Sequence, residues 1–364
     1  MLESQLGNKI MNIRKHLSSP VIAALGAAIL FGGSTPIAKA LISQTHPILL
    51  AGLLYLGSGM GLILMRLIRN KGWHNPGLLK SEGWWLIGAI AFGGIMGPVL
   101  LMMGLTLVSA ASASLLLNLE AVLTALIAWI IFKENTDHRI VLGMLLIVVG
   151  GIVLSWPQKY AVQQGWLGTL AIAGACLCWA IDNNLTRKIS ASDSLFIAGS
   201  KGLIAGIVNI SLACGLGLAF PAWSITFMTL ICGFIGYGLS LLLFILALRG
   251  LGTARTGAYF SVAPFIGTAI AIVLFHEKAS LLFWMASVLM GAGVWLHLTE
   301  RHAHEHHHEA LLHEHWHAHD EHHQHMHDFP WDKTKGHKHS HQHEPVTHSH
   351  AHYPDVHHRH KHSA

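Results

Sequence analysis

The chain has 364 residues, of which 52% are hydrophobic and only 11% charged, with 37 glycines and a net charge of +5. A positive mean hydropathy with so few charges excludes an ordinary soluble domain and fits a polytopic helical membrane protein. The excess of positive charge does not indicate nucleic acid, because no interleaving of basic and aromatic residues accompanies it.

Residues 1–19 are basic and polar, and no cleavage-site pattern precedes the first long apolar stretch, so they read as a cytosolic leader to an uncleaved helix. Ten apolar stretches follow, at about 20–42, 46–66, 83–106, 109–132, 139–156, 166–187, 194–219, 224–248, 253–275 and 279–298. At ~1.5 Å per residue each is long enough for a ~30 Å hydrocarbon core or close to it. With the N-terminus inside, 13 Lys and Arg fall on the cytosolic side, and Lys39, Lys159 and Lys278 fall opposite. That bias predicts cytosolic N- and C-termini in an inner (cytoplasmic) membrane. Trp73, Trp84, Trp156, Trp166, Trp223 and Trp295 lie near span ends, as interfacial anchors do. The four cysteines (Cys176, Cys178, Cys214 and Cys232) all sit in apolar stretches and predict no disulfide framework.

The chain repeats itself. Ser109–Glu134 returns as Gly252–Glu277 at an offset of 143, which sets Glu277 on Glu134, Phe275 on Phe132 and Ser261 on Asn118. Residues 26–43 align with 174–190 at an offset of 148, matching Phe31 with Trp179 and Lys39 with Arg187. Five spans per copy is an odd number, so the two copies, 20–156 and 166–298, would lie in opposite membrane orientations. Such inverted repeats build secondary transporters whose substrate site lies between the halves. The predicted class is all-α, with ten transmembrane helices in two inverted five-helix repeats.

Three ionisable residues fall well inside spans: Glu120, Asp182 and Lys201. A charge there costs several kcal/mol unless it is paired or faces a polar cavity. A structural ion pair, Lys201 with Glu120 or with Asp182, is one reading. The other is a binding site in which the carboxylates alternately take a cation and a proton. Asn183 adjoins Asp182. Asn118, two residues before Glu120, points elsewhere on an ideal helix. Cys178 is four residues before Asp182 and shares its face, where it is either a ligand for a soft cation or a small buried apolar residue. Lys39 and Arg187, near span ends, read as anchors.

After Leu298 the composition changes: 24 of the 30 histidines lie in the last 66 residues. Neutral imidazoles bind nickel, cobalt, zinc and copper. His304, His306, His308, His313, His315, His317, His319, His323 and His327 are the candidate ligands of this 299–364 tail. A helical continuation of the last span would stack His315, His319, His323 and His327 at i, i+4 spacing, whereas an extended chain would chelate through H-x-H pairs. Beyond Pro330 the composition predicts disorder.

The two five-span halves, the FGGS-P-AK sequence of the first helix (Phe31–Lys39) and the FKE and FHE endings at Glu134 and Glu277 resemble the EamA-type drug/metabolite transporter superfamily over residues 20–298. That resemblance implies a ten-helix basket with a central cavity, exporting small metabolites. In this family the fourth helix often carries a proline after a small residue. Here the second half has it, at Ala263-Pro264, and the first half has Glu120-Ala121 instead. With its tail the chain is similar to the nickel/cobalt-resistance members of the superfamily. The expectation is therefore proton-coupled efflux of a divalent metal (nickel, cobalt or zinc), with the tail collecting it, no other cofactor and no catalytic centre. Two alternatives stand beside it: export of a small, amino-acid-like organic solute with the tail as sensor or buffer, and a membrane-held metal storage or sensing protein. The expected partners are the lipid bilayer and the transported ion or solute, with a homodimer as one possible assembly.

Overall fold

The computed structural model describes residues 19–131, 138–156, 162–190, 192–277, 279–299 and four tail segments, 303–308, 312–317, 337–342 and 346–351. They fall in two units, one within Met1–Glu300 and one within Arg301–Tyr353. The first is all-helical among its described residues. Its helices are α1 (Ser19–Leu41), α2 (Pro47–Asn70), α3 (Gly83–Leu107), α4 (Ala110–Ile130), α5 (His138–Leu154), α6 (Val162–Ile189), α7 (Ser194–Gly215), α8 (Trp223–Leu251), α9 (Thr256–Phe275) and α10 (Leu281–Leu298). Nine of them are long and apolar enough to cross a membrane, and α5, where a span over 139–156 is expected, is a shorter apolar helix of 17 residues. Leu64, Ile131, Leu170, Val273 and Val288 are exposed, as side chains facing lipid must be. All six anchor tryptophans are exposed as well.

Several helix starts follow from local chemistry. Ser109, Asp193 and Ser280 cap α4, α7 and α10 by accepting the backbone N–H of Ser112, Leu195 and Phe283 at 3.2, 3.0 and 3.2 Å. Pro47 opens α2 at a position that needs no N–H donor. Two helices change their winding midway: α3 is π-helical over Ile90–Met96, and α8 over Gly233–Leu239. The second π segment lies 143 residues after the first, the spacing at which the sequence repeats. Between α8 and α9 the chain folds back in a tight turn, for Phe244 and Phe260 meet at 4.9 Å between ring centroids, where sixteen residues of one straight helix would hold them about 24 Å apart.

Glycines set the closest seam. A Cβ on Gly59 of α2 would lie 2.0 Å from the backbone N of Leu203 in α7, and one on Gly202 would lie 2.5 Å from the N of Gly59. Small residues at such a crossing let the two backbones touch, which is how helices gain van der Waals contact where no hydrophobic effect drives them together.

Polar networks tie the two ends. At one, the buried Arg66 of α2 pairs with Asp193 at 2.9 Å, donates to the His74 carbonyl at 2.8 Å and lies 4.9 Å from the Trp73 ring centre. Burial works to raise the Asp193 carboxyl, but the Arg66 hydrogen bond and the Arg69 and Arg66 charges outweigh it and hold it below the usual carboxylate range. Arg249 closes the same end on the Ser190 and Ser192 carbonyls, at 2.8 and 2.7 Å. At the other end Lys39 donates to the carbonyls of Leu105 and Val108. There the carboxylate of Glu277 accepts the N–H groups of Ala110 and Ala111 at 3.0 and 3.1 Å. Lys39 thus anchors α1 on the end of α3.

The described residues of the tail are two antiparallel strand pairs, β1 (Ala303–His308) with β4 (Val346–Ala351) and β2 (Leu312–His317) with β3 (His337–Gln342). Of the two arrangements open to it, the helical stacking at i, i+4 fails at His315, which lies in β2, and the extended one agrees with the strands, while His319, His323 and His327 lie outside the described residues. The disorder expected beyond Pro330 does not hold for β3 and β4. An alternating H-x-H sequence has the period of a strand rather than of a helix, and the register pairs His304 with His350, His306 with His348, and His313, His315 and His317 with His341, His339 and His337.

The glycine seam has a direct test. Gly59→Val should lower stability by about 1–3 kcal/mol or prevent folding, whereas Gly215→Ala, with open space around it, should leave the thermal midpoint in detergent unchanged.

Candidate functional site

The site is built on one face of α6. Trp179, Asp182, Asn183 and Thr186 lie within about two turns of it, and each is buried. Asp182 meets Lys201 of α7, with Nζ 2.5 Å from Oδ1 and 2.7 Å from Oδ2. The Thr186 hydroxyl, one turn on, donates to Asp182 Oδ1 at 2.8 Å and accepts from Lys201 Nζ at 3.2 Å. The sequence allowed Lys201 either Glu120 or Asp182 as partner, and the fold selects Asp182.

The π segment of α3 makes that pair fit. A Cβ on Gly93 would stand 1.9 Å from Asp182 Oδ2, so only glycine admits the carboxylate there. The Gly93 carbonyl accepts both the Tyr55 hydroxyl at 2.8 Å and Trp179 Nε1 at 3.0 Å. Widening the helix turn frees backbone groups from their regular partners, and two side chains from neighbouring helices use this one.

Glu120, in α4, is held differently. Its Oε1 accepts from Asn183 Nδ2 at 2.8 Å, and Asn183 also reaches the Thr124 hydroxyl at 3.4 Å. Among the described residues no lysine or arginine forms an ion pair with Glu120. Asn118 does not join it: its amide donates to the Leu115 carbonyl at 3.0 Å and lies 3.9 Å from Met290 Sδ, toward α10. Cys178 is buried but is not among the residues lining the cavity described next.

Glu120, Asn183, Asp182 and Lys201 border one cavity that opens to solvent, of about 540 Å³ with the open part included. The rest of its wall is largely aromatic: Phe31, Tyr55, Trp179, Tyr237, Phe244 and Phe260. Phe31 packs edge-on against Trp179 and Tyr237, both at 5.7 Å between centroids, and Phe244 against Phe260 at 4.9 Å. A second space of about 340 Å³ adjoins it, sharing Phe31, Glu120, Asn183, Phe244 and Phe260 and reaching Pro264. Glu120 stands at the junction. No group of three or more His, Cys, Asp or Glu side chains able to hold a metal occurs among the described residues.

The profile of the EamA-like transporter family matches the chain twice, over residues 18–156 and 166–299. The chain belongs to the EamA-like transporter family. It is a multi-pass membrane transporter. An uncharacterised transporter of Methanothermobacter thermautotrophicus is 25% identical over 291 residues, covering 76% of this chain and 84% of its own. A probable amino-acid metabolite efflux pump of Escherichia coli is 23% identical over 209 residues, covering 51% of this chain and 66% of its own. A solved crystal structure superposes with a TM-score of 0.60 at 18% identity, over 77% of this chain and 95% of that one, which establishes likeness of fold.

Sequence reasoning found the three charges and Asn183 but not Tyr55, Thr186 or Tyr237. Nothing in a single apolar span marks which ring faces inward. The one available signal was the repeat, which set Phe31 on Trp179.

The buried pair should show its mutual dependence. Lys201→Met should cost about 3–5 kcal/mol by stranding the Asp182 carboxylate, and Asp182→Asn added to it should recover most of that loss, read from unfolding in detergent as a double-mutant cycle.

Proposed function

We propose that this EamA-family transporter is a secondary exporter of a small organic solute, driven by proton exchange at Glu120. The carrying observation is the wall of the cavity: aromatic rings, one ion pair satisfied within itself, and one carboxylate held only by an amide. A divalent transition metal is held best by several His, Cys, Asp or Glu side chains converging on it, and the described residues include no group of three or more of these. The organic cargo, one of the alternatives set out above, is therefore preferred to metal. The inverted two-repeat arrangement belongs to the same proposal. It is supported by the double match to the family, by the π segments 143 residues apart, and by Gly59 and Gly202, which meet each other at that same spacing. With both termini cytosolic, the cavity loads from the cytosol.

The tail carries a second reading, metal binding that regulates transport or feeds it. It rests on the cross-strand register, which sets five histidine pairs opposite one another.

Inside-out vesicles separate these readings. Acid-loaded vesicles should lose their pH gradient on addition of an amine and amino-acid mixture but not on addition of nickel, cobalt or zinc. Truncation after Leu298 should leave that exchange intact, and Glu120→Gln should abolish it. Exchange driven by nickel would instead establish the metal exporter.

For the tail, the full-length protein in detergent should retain nickel in equilibrium dialysis at neutral pH and release it below about pH 6, as imidazoles protonate. The truncated chain should retain almost none.

A further inference from the structure

We infer that the cavity binds an organic monocation, an amine or ammonium with an aromatic or bulky apolar body, whose charge sits on Glu120. This rests on the reading of the cavity as an organic-solute site and narrows its ligand by charge.

Hydrogen-bond capacity carries it. An ammonium has three donors, and Lys201 directs all three inward, two to Asp182 and one to Thr186. Nothing remains on Lys201 for a substrate carboxylate. Asp182 is equally occupied, accepting from Lys201 on both oxygens and from Thr186 on one. The pair is neutral as a unit. Opening it for a zwitterion or an anion would leave a buried carboxylate without its counter-ion, a large cost away from water.

Glu120 is the opposite case. A carboxylate has about four acceptor sites, and Asn183 Nδ2 fills one of them with an uncharged donor. It forms no ion pair among the described residues and stands at the junction of two spaces walled by Phe31, Phe244 and Phe260. Ring faces attract cations, and more strongly where water is excluded. No cluster of three or more His, Cys, Asp or Glu side chains able to hold a metal ion lies there among the described residues. An organic ammonium needs one carboxylate and apolar walls. The Tyr237 hydroxyl on the same wall is a further polar group, beside the Ser34 hydroxyl, which donates to the Phe31 carbonyl at 2.7 Å. A proton and the ammonium would occupy the same carboxylate and exclude each other, which gives one-for-one exchange.

Three probes of nearly one shape decide the charge: phenethylamine (cation), phenylalanine (zwitterion) and 3-phenylpropionate (anion). They are titrated into the purified full-length protein, with binding read by tryptophan fluorescence and transport read in vesicles. Phenethylamine should bind, phenylalanine more weakly by about tenfold or more, a step of about 1.4 kcal/mol, and 3-phenylpropionate not at all. Glu120→Gln should weaken phenethylamine by about tenfold or more. Glu120→Asp, which keeps the charge, should retain most of the affinity, and the melting curves of both variants report folding. Phenethylamine failing to bind the wild type, or binding equally to Glu120→Gln, would overturn the assignment. Phenylalanine bound and transported in preference would overturn the cation while leaving the organic exporter standing. Nickel transport without any organic probe would remove both.

Discussion

An ammonium ion placed inside a membrane-spanning helix has to be neutralised by the protein itself, and Asp182 does this for Lys201. The bilayer supplies no water to screen either charge, so the pair tolerates little error in position. That requirement fixes much of the surrounding structure. It ties α6 to α7 across the π segment of α3, on which both pack, demands glycine at position 93 because the carboxylate fills the space of a side chain, and uses Thr186 to complete both partners. The π turn of α3 then offers its Gly93 carbonyl to Tyr55 and Trp179, so the aromatic wall hangs on the same point as the ion pair. Position in this site is set by hydrogen bonds and close backbone approach, since apolar burial cannot choose between lipid-like neighbours.

The halves of the chain contribute unequally. At the offsets read from the sequence, Ser58 stands where Lys201 stands in the second half, and Ser34 where Asp182 stands. The packing follows the same correspondence, for Gly236 faces Ser34 as Gly93 faces Asp182. The glycine contact is common to both positions, while the charged residues lie at one of them only. Glu120 reverses the imbalance, with Ala263 as its counterpart. A cavity lined this way presents a lopsided field to whatever enters it.

Much of this was legible in the sequence. The ten apolar runs mark helices to within a few residues, nine of them long enough to cross a membrane and one, α5, shorter, because hydrocarbon thickness dictates a length that composition reveals directly. Glu120, Asp182 and Lys201 stood out because charges in apolar runs are rare. Their pairing was not legible, since both carboxylates were open to Lys201 and only the rotation of α6 chose between them. The aromatic residues were hidden for a different reason: a ring is equally at home facing lipid, a neighbour or a cavity. The π turns left no local mark beyond glycines, and these are common throughout the chain. In the tail, the alternation of histidine carried a strand period, but the glutamates among them argued equally for helix.

The tight turn between α8 and α9 has a mechanical meaning. It folds the chain back so that Phe244 of one span and Phe260 of the next meet ring to ring, 4.9 Å between centroids. Two of the cavity's rings therefore sit on neighbouring spans joined directly to each other. Compliant points lie close to both, in the π winding of Gly233–Leu239 and at the break around Ser261 and Val262. A tilt of either span would slide one ring across the other, and the volume next to Glu120 would change with it.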